Sequence, residues 1–188
     1  MASIDTLACA QDCSDSIPVF EFSECAPELL QAQISDIYLA NDGYPLTDWT
    51  NPSEWATRES NSSTDANAIR HLTVIGSLAD PTVTEKRISH RRTIYSPQEF
   101  IIAGQIDDNS DINYDAARAT GCNRQYRMWF ATLGAKLYGG NNGILVNLRM
   151  WEAIVEDELE YSVLKFQVKW KAKFMPLRID NPMASAEE

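Results

Sequence analysis

Leu164-Lys165-Phe166-Gln167-Val168-Lys169-Trp170-Lys171-Ala172-Lys173-Phe174 is the stretch that decides the fold class. Apolar residues fall on every even position and Lys or Gln on every odd one, the period of two in which successive side chains of an extended chain point to opposite faces. The segment reads as a strand with one buried and one wet face, the habit of antiparallel sheets. Just upstream, Tyr126, Met128 and Phe130 alternate with Arg127 and Trp129, and Ala135 to Tyr138 leads through Gly139-Gly140-Asn141-Asn142-Gly143 into a strand from Ile144 to Val155. Asn-Gly between two such runs signals a hairpin, because both residues accept the positive φ that matches strand twist.

The pattern continues toward the N-terminus. Gln98 to Asp107 sets Phe100, Ile102, Gly104 and Ile106 on one face and Ile101 and Ala103 on the other, as an interior strand does. Leu72, Val74 and Leu78 share a face of Ile69 to Leu78, and this run is expected to pair with the β-prone Thr82 to Tyr95 across a turn at Ala79-Asp80-Pro81. Gln33 to Ala40 is a further strand, with Ile34, Tyr38 and Ala40 on one side and Ile37 and Leu39 on the other, and Ile17 to Phe22 a shorter one.

Two short helices interrupt the strands. Asn51-Pro52-Ser53-Glu54 is a start signature in which Asn51 caps, Pro52 suits the first position and Glu54 reaches back to the cap amide; the helix ends near Glu59. Ser110 to Thr120 has Ile112, Ala116 and Ala119 at helical spacing, Asn109 or Ser110 as cap and Gly121 as stop. Residues 1–16 are polar and aperiodic and read as an acidic arm, 17–182 as a single β-rich domain with a long loop at 41–67, and 183–188 as a tail. The sum is a mainly-β chain, an antiparallel β-sandwich or barrel flanked by one or two short helices.

At 188 residues, 44% hydrophobic and 23% charged, the chain has material for one core and little for a second. Its formal charge of −11 is uneven: residues 1–68 hold twelve acids against the single base Arg58, whereas the remainder balances fifteen against fifteen. Such a chain repels nucleic acid and lacks the basic footprint of a DNA-binding protein. Its apolar stretches fall well short of the roughly 20 residues a spanning helix needs. Met1 to Ala10 lacks a basic region followed by an apolar core, so no membrane role and no leader are expected.

Chemistry is sparse. Cys9, Cys13 and Cys25 are the weak candidates for a metal cluster, without paired C-x-x-C knuckles or a nearby His; buried or free thiols in a reducing compartment are the plainer expectation. Asn61-Ser62-Ser63 matches a glycosylation triplet but reads as a polar loop. His71 and His90 both fall in strands with no G-x-S-x-G serine beside them, and the pairs Asp107/Asp108 and Glu156/Asp157/Glu158 sit in turn-like stretches. No enzyme and no cofactor is expected. Gly139 to Gly143 lacks the Lys-Ser/Thr and the helix of a phosphate loop. Trp49 and Trp55 suit core or interface packing, with a sugar platform as the rival use. The basic strand faces carrying Arg91 and Arg92, and Lys169 and Lys171, suit contact with the acid-rich first third of a neighbouring copy.

The runs Ile37-Tyr38-Leu39-Ala40-Asn41-Asp42-Gly43-Tyr44-Pro45-Leu46-Thr47-Asp48-Trp49, Glu54-Trp55-Ala56-Thr57-Arg58, Tyr126-Arg127-Met128-Trp129, Leu137-Tyr138-Gly139-Gly140-Asn141-Asn142-Gly143 and Trp170-Lys171-Ala172-Lys173-Phe174 together resemble structural proteins of tailed bacteriophages. The similarity, over residues 17–182, is nearest to tail-tube-like and neck-ring proteins of crAss-like phages and their relatives infecting gut Bacteroidetes. It implies a β-sandwich or half-barrel with a flanking helix, subunits associating laterally into rings that stack around a lumen, and no catalytic residues. The partners implied are further copies of the chain and neighbouring tail, neck or portal-proximal proteins of the virion, assembled in the host cytoplasm. Genome DNA would meet the protein only in passing, repelled by an electronegative wall. The cysteine-bearing arm lies outside this pattern. An auxiliary capsid protein and a monomeric carbohydrate- or ligand-binding β-domain are the rival expectations.

Overall fold

A computed structural model describes residues 30–62, 64–89, 92–106, 108–120, 125–154 and 162–184. The chain divides into Met1–Leu30 and Gln31–Glu188, and the fold described is that of the second unit. Its elements are β1 (Ile34–Asn41), α1 (Pro52–Glu59), β2 (Ile69–Leu78), β3 (Glu85–Ser89), β4 (Arg92–Tyr95), β5 (Gln98–Ile106), α2 (Asp111–Thr120), β6 (Gln125–Thr132), β7 (Lys136–Tyr138), β8 (Ile144–Ala153), β9 (Val163–Ala172) and β10 (Arg178–Asp180). The expected strand at Ile17 to Phe22, the arm at 1–16 and the stop at Gly121 lie outside the described residues.

The mainly-β architecture with two short helices is as the sequence indicates. The sheet closes on itself: β1, β2, β5, β9, β8 and β6 pair in that order, and β6 pairs back to β1, giving a six-stranded antiparallel barrel. Two three-stranded meanders build it, β1-β2-β5 and β6-β8-β9, joined first strand to first and last to last. The main sheet is therefore a closed barrel, in which neither a sandwich nor a half-barrel is seen, because β6 finds partners along both of its edges.

Alternation fills the barrel. Phe100, Ile102 and Ile106 of β5, Leu164, Phe166, Val168 and Trp170 of β9, and Met128 and Phe130 of β6 point inward and are buried. The rings of Phe100 and Trp170 stack with centroids 5.1 Å apart. A bulge between Ile34 and Asp36 shifts the register of β1, and it moves Ile34 onto the inward face with Ile37 and Leu39, where strict alternation had placed it with Tyr38 and Ala40.

Three local expectations are corrected. β2 pairs with β5, not with the 82–95 run; that run folds on itself into the β3–β4 ribbon, tied at its base by the Thr82–Glu99 bridge and the bonds between Thr84 and Ser96. Helix α2 forms, but Ile112 is 81% exposed and Ala117 is the residue it buries, because β8 lies against a different stripe of the helix. Gly139 to Gly143 does not close a hairpin either. β7 and β8 run in the same direction along one edge of β6, the first opposite Phe130–Thr132 and the second opposite Gln125–Met128, so they are one strand line interrupted by a glycine loop.

The reason for the interruption is Trp129. β1 and β6 are buried on both faces, and outside the barrel Tyr38, Ala40, Trp129 and Ala131 join Leu46, Trp49, Trp55, Ile69 and Leu137 in a second core. The glycine loop wraps the Trp129 indole, whose Nε1 donates to the Gly140 carbonyl at 2.6 Å. A Cβ at Gly139 (φ 142°) would stand 2.5 Å from that ring, and one at Gly143 (φ 62°) 2.8 Å from it. Gly143→Ala is expected to cost about 2–3 kcal/mol, combining left-handed strain with displacement of the indole; a thermal melt followed by tryptophan fluorescence measures it, against Gly43→Ala, which meets nothing within 4 Å, as control.

Candidate functional site: a basic outer face on two barrel strands

The loop after β1 is dense in turn residues and helix α1 follows it. Asn51 caps α1 by accepting from the Ser53 amide at 3.0 Å. Glu54 does not reach back to the cap; its carboxylate accepts from the amides of Thr47 and Asp48 at 2.8 and 2.9 Å, folding the loop over the helix start. Asn141 of the glycine loop clamps the other side, its carbonyl accepting from Leu46 and its Oδ1 from the Trp49 amide.

This packing decides the fate of the tryptophans. Trp55 is 0% exposed, edge-on to Tyr38 and Trp129, and donates to the Trp49 carbonyl; Trp49 is also buried. Neither offers a face to a sugar or to a neighbouring subunit, so the platform and interface assignments give way to core packing. Beside them lies a residue that charge alone would have sent to the surface. Arg58 is 7% exposed, the one buried charged residue among the described residues. Its guanidinium donates to the carbonyls of Tyr44, Pro45 and Asn67 at 2.7–2.9 Å, with Glu54 at 3.8 Å. Burial pulls its pKa down, opposed by Glu54, while three carbonyls keep it bonded. Arg58→Met leaves these carbonyls without donors and is expected to cost about 2–4 kcal/mol, with Arg58→Lys only partly restoring it; urea denaturation reads both.

On the outer side of β1 and β2, His71 Nε2 meets Asp36 Oδ1 at 2.7 Å, its Nδ1 lies 3.6 Å from Glu59 at the end of α1, and its ring stacks on Tyr38. The hydrogen bond with His71 is the main cause that holds the Asp36 carboxyl below its ordinary 3.8, burial opposing it and Ser35 assisting. A depressed carboxyl stabilises the fold at pH above its unfolded value and loses that contribution as pH falls through the lower folded one. His71→Phe is therefore expected to shrink the acid-side loss of stability below pH 3.8, read from melting temperatures across an acid titration.

The polar face of β9 comes together with that of β8. Register places Asn147 opposite Lys169, Arg149 opposite Gln167 and Trp151 opposite Lys165, while Glu99 of β5 stands opposite Lys171. Lys165, Lys169, Lys171 and Arg149 are all exposed, and among the described residues none of the four makes an ion pair. A concavity of about 450 Å³ runs between Lys169, Lys171 and Arg149. Lys169 and Lys171 were legible as a wet strand face; Arg149 was not, since only the β8–β9 register brings it there. Arg91 lies outside the described residues, and Arg92 opens β4.

A second hollow, about 400 Å³, opens at one end of the barrel where β2 runs past its pairing with β5; Arg70, Leu72, Ile106, Asn113 and Met150 line it. No His, Cys, Asp and Glu group among the described residues is arranged for a metal, and Cys9, Cys13 and Cys25 lie outside them. No described helix is long and apolar enough to cross a membrane. Comparison of the chain with family models, curated proteins and solved structures finds no match in any of the three.

Proposed function

We propose that this protein is a non-enzymatic virion subunit of a tailed bacteriophage, self-assembling into a ring or tube of the tail or neck through which genome DNA passes. The observation that carries it is the unpaired basic face of β8 and β9 on a chain whose net charge is −11. Four clustered, exposed cations on an acidic protein form a surface to which further copies of that protein supply the complementary charge. The mainly-β fold supports the tail-tube-like plan only in its broad outline, and the resemblance of residues 17–182 to tube and neck-ring proteins supplies the ring. Assembly would take place in the host cytoplasm, with neighbouring tail, neck or portal-proximal proteins as the other partners.

The ligand-binding alternative now rests on the barrel-end hollow, because Trp49 and Trp55 are buried. Light scattering of the purified chain with negative-stain imaging separates the two. Closed rings or short tubes of uniform mass are the expected result; a species of 21.1 kDa at every concentration and salt would sink the conduit in favour of a monomeric binding domain. Single-sized oligomers that bind only preformed capsids would instead point to an auxiliary head protein.

A further inference from the structure

Building on the self-assembly reading above, we propose that the basic outer face of β8 and β9 receives residues 1–29 of a second copy of this chain. The acids available to meet that face can be narrowed by accounting for the twelve in residues 1–68. Six of them are engaged inside their own barrel unit. Asp36 and Glu59 face His71, Asp42 pairs with Arg127, Glu54 binds loop amides and Arg58, Asp48 binds Thr50, and Asp65 accepts from Ser62. The other six, Asp5, Asp12, Asp15, Glu21, Glu24 and Glu28, fall within residues 1–29, which contain no Lys, Arg or His. A segment of six acids without a base and the clustered unpaired cations of β8 and β9 are thus complementary in charge.

Length and topology add to charge. Lys165, Lys169 and Lys171 extend over about 20 Å of strand at 3.3 Å per residue, and Glu21 to Glu28, extended, covers about 24 Å. Trp151 and Leu145, each near half exposed on the same face, offer apolar surface to Val19, Phe20 and Phe22 of such a segment. The barrel unit begins at Gln31, whose carbonyl accepts from Gly134 at the β6–β7 turn, next to β1. In the closed order β1 and β9 stand three strands apart, on opposite sides of the barrel. The self-assembly reading makes a neighbouring copy the supplier of the segment, and mixing the variants below separates this from docking within one chain.

Two full-chain variants test this: Lys165→Glu/Lys169→Glu/Lys171→Glu on the face and Glu21→Lys/Glu24→Lys/Glu28→Lys on the segment, with Lys169→Gln/Lys171→Gln as a milder face variant and circular dichroism as the folding control. Each charge reversal alone is expected to raise the concentration needed for assembly by about tenfold or more at 0.1 M salt, with the wild type weakening as salt is raised. Mixing the two variants should restore assembly, since each then supplies what the other lacks. Rescue only when both sets sit in one chain would mean docking within a chain and overturn the proposal. Undiminished assembly of both variants overturns it while leaving the ring itself standing. A wild-type chain that never assembles overturns both. If the face variant loses retention of a 20-base-pair duplex DNA probe that the wild type holds, with assembly unchanged, the face serves a polyanion instead.

Discussion

The indole of Trp129 is the wedge on which everything outside the barrel depends. It projects from the one strand that has neighbours along its whole length on one edge and two successive neighbours on the other. Because the ring is fully buried with its N–H bonded to Gly140, the chain after β7 has to detour around it, and the detour carries Asn141 to the loop that follows β1. That loop in turn supplies the carbonyls held by Arg58. A single large side chain thus links a strand of the second meander to the loop and helix of the first, through contacts between residues about ninety positions apart in sequence (Trp49 and Asn141, for instance).

Burial on both faces sets β1 and β6 apart from β8 and β9. The first pair is covered outside by α1 and its loop, so its composition is apolar throughout its centre, Tyr-Leu-Ala in one strand and Met-Trp-Phe-Ala in the other. The second pair keeps a wet exterior with strict alternation. The barrel is therefore two-sided in chemistry: one side is closed by its own polypeptide, and the opposite side presents cations to solvent.

How much of this was legible beforehand follows from which physical signal each feature carries. Period-two patterning exposes β9 because one of its faces is buried and the other is wet, while β5 is readable from its apolar run. The cap at Asn51 was readable because Asn-Pro-Ser is a local code. What escaped are features set by partners distant in sequence. The pairing of β2 with β5 depends on which strand is nearer in space, the outward burial of Trp129 on a loop 10 residues further on, and the interior position of Arg58 on carbonyls from three loop residues. Arg149 joins the cationic face only through register. The bulge at Ile34/Asp36 is a one-residue slip that no alternation rule reveals.

The order in which the strands close also dictates what the newly made chain must endure. β9 lies between β5 and β8, so until residues 163–172 are synthesised the barrel is an open curved sheet with β5 and β8 as bare edges. Until β9 is made the chain therefore displays its future interior, Phe100 and Met128 included, together with two strand edges able to pair with anything extended. Closure joins segments separated by some sixty to a hundred residues, a non-local topology that folds slowly. A chain with such a late keystone depends on finishing its last third promptly, and chains halted before β9 are the ones that aggregate.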